Sequence, residues 1–265
     1  MNQLPRITFV TPSYQQAKYL ERTIRSVLDQ GYPNLEYFVL DGGSNDGSVE
    51  IIKKYADRIQ FWTSEKDGGQ SAAINRGLRM ATGEIVGWLN SDDTLAPGAL
   101  HRIGRFYARH PNADLIYGHT CTIDVDDRVI RPLVAVPTNA KELIRYTHDL
   151  WSQPGTSWRR NLHDRLGYLD ESLQCMMDGD WWIRVARTSQ IRLLPVHLGN
   201  LRIHGESKTS SASLRARWDA EQEILDQRYG YMLRGGLERR WFYARRLARI
   251  LRSPRSLLYR LRRTL

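Results

Sequence analysis

Asn90-Ser91-Asp92-Asp93 follows directly on the apolar run Gly87-Trp88-Leu89. Adjacent carboxylates at the end of a strand repel each other unless a cation sits between them. A hard divalent ion, Mg2+ or Mn2+, takes such oxygens and bridges them to phosphates. The plainer alternative is an Asp pair capping the next helix, which Pro97 could open. Asp41 and Asp67 also close strand-like runs. An Asp in such a place accepts a hydrogen bond from a base N–H or a ribose hydroxyl, or else caps its own loop. It is their company with Asp92 and Asp93 that outlines one site. Asp124-Val125-Asp126 has a similar spelling but falls in an expected hairpin turn, where its carboxylates should be solvated.

A second constellation is Met177-Asp178-Gly179-Asp180-Trp181-Trp182-Ile183-Arg184, which reads as the opening of a helix. A carboxylate at a helix start, among aromatic side chains, can have its pKa set for taking a proton from a sugar hydroxyl. A helix cap with an Arg partner is the alternative. His204 and Lys208 stand close together near the end of the patterned region. His204 could supply a third metal ligand and Lys208 could sit on a diphosphate, although a lone His is as often structural. Trp151, Trp158, Trp181 and Trp182 could stack on sugar rings, or serve as ordinary core.

The elements that must position these residues alternate. Ile7–Val10 reads as a strand broken by Thr11-Pro12-Ser13, and Ala17, Leu20, Ile24, Val27 and Leu28 make a helical stripe. Leu35–Leu40, Ile59–Thr63, Ile85–Leu89 and Leu115–Tyr117 read as further strands. Helical faces lie between them at Val49, Ile52 and Tyr55, at Ile74, Leu78 and Ala81, and at Leu100, Ile103 and Tyr107. This alternation implies an α/β fold with a Rossmann-like, mostly parallel sheet flanked by helices. Ligands of such sheets bind outside the carboxyl ends of the strands. The loops at Thr11–Ser13, Asp41–Asp46, Asp67 and Asp92–Asp93 are therefore expected in one crevice. After residue 118 the pattern changes. Thr122–Val129 reads as a hairpin around Asp126-Asp127, and residues 141–204 mix short Trp-rich elements that complete a site. From Ser213 the chain is helical and increasingly basic.

The whole chain sets the bounds. Its 265 residues, 41% hydrophobic and 26% charged, suffice for one large domain with an ample core. No run of about eighteen apolar residues exists, and Met1 to Val10 lacks the pattern of a secretory signal, so a cytoplasmic protein is expected. Cys121 and Cys175 match no metal spacing and are expected to be reduced and buried. The net charge of +10 is uneven: residues 237–265 hold ten Arg, one Glu and no Lys, which leaves about +1 for residues 1–236. In that segment Leu237, Trp241, Leu247, Ile250, Leu251, Leu257, Leu258 and Leu261 interleave with the arginines, with a break at Ser253-Pro254. This is the pattern of an interfacial helix on an anionic membrane surface. Nucleic acid or a partner protein are the alternatives, and no nucleic-acid fold motif accompanies the basic run.

Five motifs together carry a resemblance: Val10-Thr-Pro-Ser-Tyr, Asp41-Gly-Gly-Ser-Asn-Asp-Gly-Ser, Ser64-Glu-Lys-Asp-Gly-Gly-Gln-Ser, Trp88-Leu-Asn-Ser-Asp-Asp and Asp178-Gly-Asp-Trp-Trp-Ile-Arg. On these, residues 5–210 resemble the family 2 glycosyltransferases of GT-A fold, of the bacterial polysaccharide-biosynthesis type. The resemblance implies that Thr11, Pro12, Ser13, Asp41, Asp67 and Gln70 bind the nucleotide-sugar donor, with Asp92 and Lys208 towards its diphosphate. It implies Asp93 as the principal metal ligand, Asp92 beside it, His204 as a late ligand, and Asp178 as the catalytic base. Two positions depart from the family pattern. Asn90 stands where the metal motif usually begins with Asp, and Met177 stands where Glu commonly precedes the base. The implied division is a nucleotide-sugar half in 1–118, an acceptor and base half in 119–212, and a basic helical tail in 213–265.

The expected chemistry is a single displacement with inversion. A sugar moves from a nucleoside-diphosphate donor, a UDP-sugar by resemblance, to a hydroxyl of a glycan or lipid-linked glycan. Metal and Lys208 take up charge on the leaving diphosphate while Asp178 takes the acceptor proton, through an oxocarbenium-like transition state. The basic tail would hold the enzyme at the inner face of the cell membrane. Three rivals compete with this reading. A sugar-1-phosphate nucleotidyltransferase would want a Gly-rich, basic loop after strand one, where Thr11-Pro-Ser-Tyr-Gln-Gln stands. A non-enzymatic sugar-nucleotide sensor would not need Asp178. A nucleic-acid-binding protein would rest on the tail alone.

Overall fold

The computed structural model describes residues 4–205, 207–208, 212–230 and 237–264. In chain order the elements are β1 (Ile7–Ser13), α1 (Ala17–Leu28), β2 (Leu35–Asp41), α2 (Ser48–Lys54), β3 (Phe61–Ser64), α3 (Gln70–Met80), β4 (Ile85–Trp88), β5 (Thr94–Leu95) and α4 (Ala99–Arg109). There follow β6 (Leu115–Ile123), β7 (Val129–Leu133), α5 (Ala140–Leu150), β8 (Thr156–Arg159), α6 (Leu162–Leu166), α7 (Met177–Thr188) and β9 (Ile191–Arg202). The chain closes with α8 (Arg215–Tyr229), α9 (Leu237–Arg252) and α10 (Pro254–Thr264).

The strands form one nine-stranded sheet in the order β3-β2-β1-β4-β8-β6-β9-β5, with β7 paired to β6. The long ladders, β1 with β2 and β6 with β9, are parallel, and β3 and β4 extend the first in parallel. The antiparallel β8 joins the two halves by pairing with both β4 and β6. The first four strands and their helices are the alternation expected from the sequence.

Strand alternation feeds two cores, one on each face of the sheet. Ile7, Phe9, Val39 and Ile85 point to one face, where Leu20 and Ile24 of α1 and Leu100 and Ile103 of α4 cover them. Val10, Leu40 and Val86 point to the other, against Ile74 and Leu78 of α3 and Trp181 and Trp182 of α7. Helix α3 lies very close to the sheet: a Cβ at Gly77 would stand 2.6 Å from Val10 Cγ1. Only glycine lets that helix approach so near.

The structure corrects several expectations. Strand β1 does not break at Thr11 but runs to Ser13, in register with Asp41. Val10 O accepts from Leu89 N on the β4 side, and Ser13 O accepts from Gly42 N on the β2 side. Pro12 therefore faces the β4 side, where pairing has ended at Val10 and a missing N–H costs nothing. The four tryptophans 151, 158, 181 and 182 are buried core, not sugar platforms. Trp158 meets Trp88 and Trp181 at 5.3 and 5.6 Å, and Trp151 stacks on Tyr117 at 4.0 Å. The expected hairpin turn forms with Asp126 exposed, and it also binds Arg202 through the backbone oxygen of Asp124 and the carboxylate of Asp127. Both cysteines are buried and neither forms a disulfide among the described residues.

The C-terminal helices do not stand apart. Leu225 of α8 and Phe242 and Ile250 of α9 enter the core beneath α5 and α7. Tyr259 of α10 donates to Thr120 O at 2.6 Å. Among the described residues no helix is long and apolar enough to cross a membrane.

Candidate active site

The carboxyl ends of β1, β2 and β4 open on one cleft of about 710 Å³. Its walls bring together Pro12, Ser13, Asp67, Gln70, Asp92, Asp93 and Lys208, seven of the residues singled out from the sequence. Two others lie behind the wall. Thr11 is buried, with Oγ1 2.9 Å from the Tyr37 hydroxyl. Asp41 is buried as well, and its carboxylate accepts from Gly43 N, Ser44 N, Ser44 Oγ and Ser64 Oγ. Those four bonds order the loop, and the wall there is the backbone of Gly42 and Gly43. Gly43 has φ +82°, and a Cβ on it would press on Lys66 N at 3.2 Å. Asp67 caps the turn into α3 by accepting from Gly69 N at 2.7 Å.

The acidic pair is held by three elements. Thr23 of α1 donates to the carbonyls of Ser91 and Asp93 at 2.8 and 2.7 Å, which fixes the loop after β4. Asp93 is buried, and accepts from Arg202 N at 2.9 Å and from Asn90 Nδ2 at 3.3 Å. Burial first, and then the neighbouring charge of Asp92, push its carboxyl well above the usual range. Asp92 faces the cleft more openly, and its Oδ2 lies 3.0 Å from His204 Nε2. The His204 ring packs on Tyr19 of α1, centroid to centroid 4.6 Å. Asn90 now has a physical role. An Asp there would add a third carboxylate, whereas the amide donates to Asp93.

A relay of polar side chains crosses the cleft. Lys208 Nζ donates to Gln70 Oε1 at 2.6 Å and to Gln174 O at 3.1 Å. Gln70 Nε2 donates to Asn90 Oδ1 at 2.7 Å, and Asn90 passes to Asp93. Desolvation around its tip lowers the Lys208 ammonium from the ordinary lysine value, while the charges of Glu221, Asp178 and Asp92 act in the opposite sense.

The two carboxylates of Asp178-Gly-Asp180 have different surroundings. Asp180 is buried and accepts from Arg184 Nε at 2.8 Å and from the Tyr229 hydroxyl at 2.5 Å, which pins α7 to α8. Asp178 is half-buried at the first turn of α7, accepting from Gly179 N at 2.8 Å, and it is not among the cleft-wall residues. The start of α7 is held from outside. Glu221 of α8, itself buried, accepts from the N–H groups of Gln174, Cys175 and Met176 at 2.9, 2.7 and 2.9 Å.

Sequence reasoning missed three contributors, Arg202, Tyr14 and Glu221. Arg202 is wholly buried: Nε donates to Asp92 O at 2.7 Å, Nη1 to Asp124 O at 2.7 Å, and Nη2 pairs with Asp127. Its guanidinium lies over the Tyr19 ring, 5.2 Å from the centroid. One side chain thus ties the acidic loop, β9 and the β6–β7 hairpin together. A lone Arg two residues before His204 was the only signal. Tyr14, 61% exposed on the cleft wall, belongs to the first motif but had no role there. Ser13, already assigned to the donor by the resemblance, has its Oγ buried at the cleft with no hydrogen-bond partner among the described residues. Glu221 gave no signal, since its partners are backbone groups distant in sequence.

Comparison with known proteins agrees with this geometry. The family model described as Glycosyl transferase family 2 matches residues 8–183. An uncharacterized glycosyltransferase of Rickettsia typhi is 26% identical over 87% of this chain and 76% of its own length. The Bacillus subtilis protein TuaG, described as a putative teichuronic acid biosynthesis glycosyltransferase, is 38% identical over a shorter stretch, 35% of this chain and 38% of its own. Among solved structures, Staphylococcus aureus TarS in complex with UDP-GlcNAc superposes with a TM-score of 0.64 at 21% identity, over 78% of this chain. This chain spans only 61% of that one. The Pyrobaculum calidifontis mannosyltransferase in complex with GDP-Man and Mn2+ gives a TM-score of 0.57 at 16% identity, over 97% of this chain and 84% of its own. These likenesses show the GT-A fold. With a family match across most of the chain, a mixed sheet of that fold and the acidic loop at its carboxyl edge, the protein belongs to glycosyl transferase family 2 and is a glycosyltransferase.

Proposed function

We propose that the enzyme transfers a sugar, with inversion, from a nucleoside-diphosphate donor to a hydroxyl of a glycan acceptor. The observation that carries this reading is the meeting of Asp92, Asp93, Gln70 and Lys208 on one cleft at the carboxyl edge of the sheet, with the buried His204 touching Asp92 from behind the wall. Tyr14 offers a face for a base, and the Ser13 hydroxyl and the Gly42–Gly43 backbone offer hydrogen-bonding groups beside it. A UDP-sugar is the donor favoured by the resemblance and by TarS, whose complexes hold UDP-GlcNAc and UDP. The likeness to TuaG supports a cell-envelope polysaccharide as acceptor.

A divalent ion suits the donor set. Two neighbouring carboxylates, one of them destabilised by the other's charge, and an imidazole touching the second offer oxygen and nitrogen ligands of the kind Mn2+ or Mg2+ takes. No group of three such side chains is already gathered among the described residues, so phosphate oxygens of the donor would complete the shell. Asp93 and Asp92, both on the cleft wall, would hold the ion, with His204 beside Asp92. When bound, it would neutralise charge on the leaving diphosphate.

The chain's own residues do the rest. Lys208, oriented by Gln70 and Gln174, meets the negative charge that grows on the diphosphate as the anomeric C–O bond breaks. Asp178 accepts the proton of the acceptor hydroxyl as its oxygen bonds to the anomeric carbon. Arg202 and Thr23 keep the acidic loop from moving as the charges change.

The test is a panel of UDP-, GDP- and dTDP-sugars with Mn2+, with and without chelator, recording release of nucleoside diphosphate. Metal-dependent release from a UDP-sugar, abolished in Asp92→Ala, is expected. No release from any donor, together with no nucleotide binding by calorimetry, would overturn the reading.

A further inference from the structure

A second cleft, of about 500 Å³, lies between α5 and α9, away from the acidic loop. Lys141 and Arg145 of α5 and Arg245 of α9 line it, together with the rings of Tyr146 and Trp241. Its floor is apolar, because Tyr146 stacks on Phe242 at 3.8 Å. Glu142 is the carboxylate of its described wall, and Arg249 already neutralises it through a two-pronged pair at 2.6 and 2.8 Å. The cleft wall therefore holds Lys141, Arg145, Arg245 and Arg249 against one carboxylate, Glu142, which Arg249 pairs directly and Arg245 also feels, so an excess of positive charge remains. A phosphate is the anion that such a cluster of flexible donors takes.

The outer face of the same helices adds a second observation. Helix α9 docks through Phe242 and Ile250, and through Arg246, which donates to Val134 O at 2.9 Å. Its opposite stripe, Trp241, Ala244, Ala248 and Leu251, is left to solvent or half-covered, with Trp241 66% and Leu251 57% exposed. Helix α10 likewise exposes Leu258 and Leu261 beside Arg260. These side chains do nothing for the docking of their own helices. A nucleic acid would use the cations and leave the leucines in water. An anionic bilayer uses both: headgroup phosphates meet the cations, and aliphatic side chains enter the acyl layer.

We propose that the α5–α9 cleft and the outer faces of α9 and α10 form a seat on anionic lipid, with one lipid phosphate in the cleft. The inference goes beyond the glycosyltransferase reading and does not depend on it. The arginines of the basic segment then have separate roles. Arg246 and Arg249 hold the helix to the body, while Arg245 with Lys141 and Arg145 meets the lipid.

The experiment is sedimentation of the full chain with vesicles of phosphatidylcholine alone or mixed equally with phosphatidylglycerol, at low and high salt. Wild type is expected to bind only the mixed vesicles. The triple variant Lys141→Ala, Arg145→Ala, Arg245→Ala is expected to lose about a hundredfold in affinity, at roughly fivefold per cation near the surface. The variant Trp241→Ser, Leu251→Ser, Leu258→Ser is expected to weaken binding at both salt concentrations. Circular dichroism and nucleotide binding of both variants should match wild type, which separates this inference from any failure of the donor reading. Wild-type affinity in both variants, equal binding to pure phosphatidylcholine, or tighter salt-sensitive binding to a single-stranded oligonucleotide would overturn it.

Discussion

Replacing Arg202 by Met tests whether one buried cation assembles the active-site cleft. The aliphatic part of the side chain is kept and the guanidinium is removed. Two carbonyls, Asp92 O and Asp124 O, then lose charge-assisted donors at 2.7 Å from a guanidinium that is itself wholly buried. Each such loss costs about 1.5–3 kcal/mol. The pair with Asp127 adds little, because that carboxylate is 45% exposed and still holds Arg22. The sum is about 3–6 kcal/mol. At roughly 2 °C per kcal/mol for a chain of this size, the melting temperature should fall by about 6–12 °C. The Arg202 backbone N–H to Asp93 survives the change, so the damage should fall on Asp92 and the hairpin. Differential scanning calorimetry reads the stability, and Mn2+-dependent release of nucleoside diphosphate reads the site. Arg202→Lys keeps the charge but cannot span two carbonyls and a carboxylate from one nitrogen, so it should recover less than half of the loss. A Met variant within about 2 °C of wild type, with full metal-dependent release, would refute the reasoning.

Other expectations follow from single contacts. Because burial and Asp92 raise the folded-state pKa of Asp93, the native protein binds that proton more tightly than the unfolded chain does. Its ionised carboxylate therefore lowers stability as pH rises from the unfolded value through the raised one. Asp93→Asn should melt a few degrees higher than wild type at about pH 8, with the gain vanishing near about pH 4 and shrinking when Mn2+ is added; a gain independent of pH would speak against this cause. Glu221→Ala orphans three N–H groups before α7, which should cost about 3 kcal/mol in urea denaturation and depress transfer to acceptor more than donor binding. Equal losses in both would argue that α8 does not position Asp178. Gly77→Ala should destabilise by about 1–3 kcal/mol through the clash with Val10, although Ala favours helices; a more stable variant would show that α3 can retreat from the sheet.

Much of the site was legible because its parts lie at the ends of strands that alternate with helices along the first 118 residues. That local periodicity places Pro12, Asp67 and Asp92 on one edge of the sheet, and the cleft contains them. The sequence left the tryptophans open between platform and core, because composition does not tell one from the other. Trp88, Trp158 and Trp181 pack on one another, and that is a long-range fact.

The sequence by itself determined the strand–helix alternation of the first 118 residues, the carboxyl-edge cleft and the family, since these rest on spacing within short segments. It also determined where the charge lies, because charge is a matter of composition. The tertiary structure alone decided what each carboxylate does. Asp41 orders its own loop and Asp180 anchors α7, while Asp92 faces His204 across 112 positions of chain. It alone brought Arg202 between the acidic loop and the Asp124–Asp127 turn, and Glu221 to the start of α7. The reason is physical. What a carboxylate does depends on which donors reach it and how much water is left, and both are set by segments far away in sequence that meet only when the two cores close.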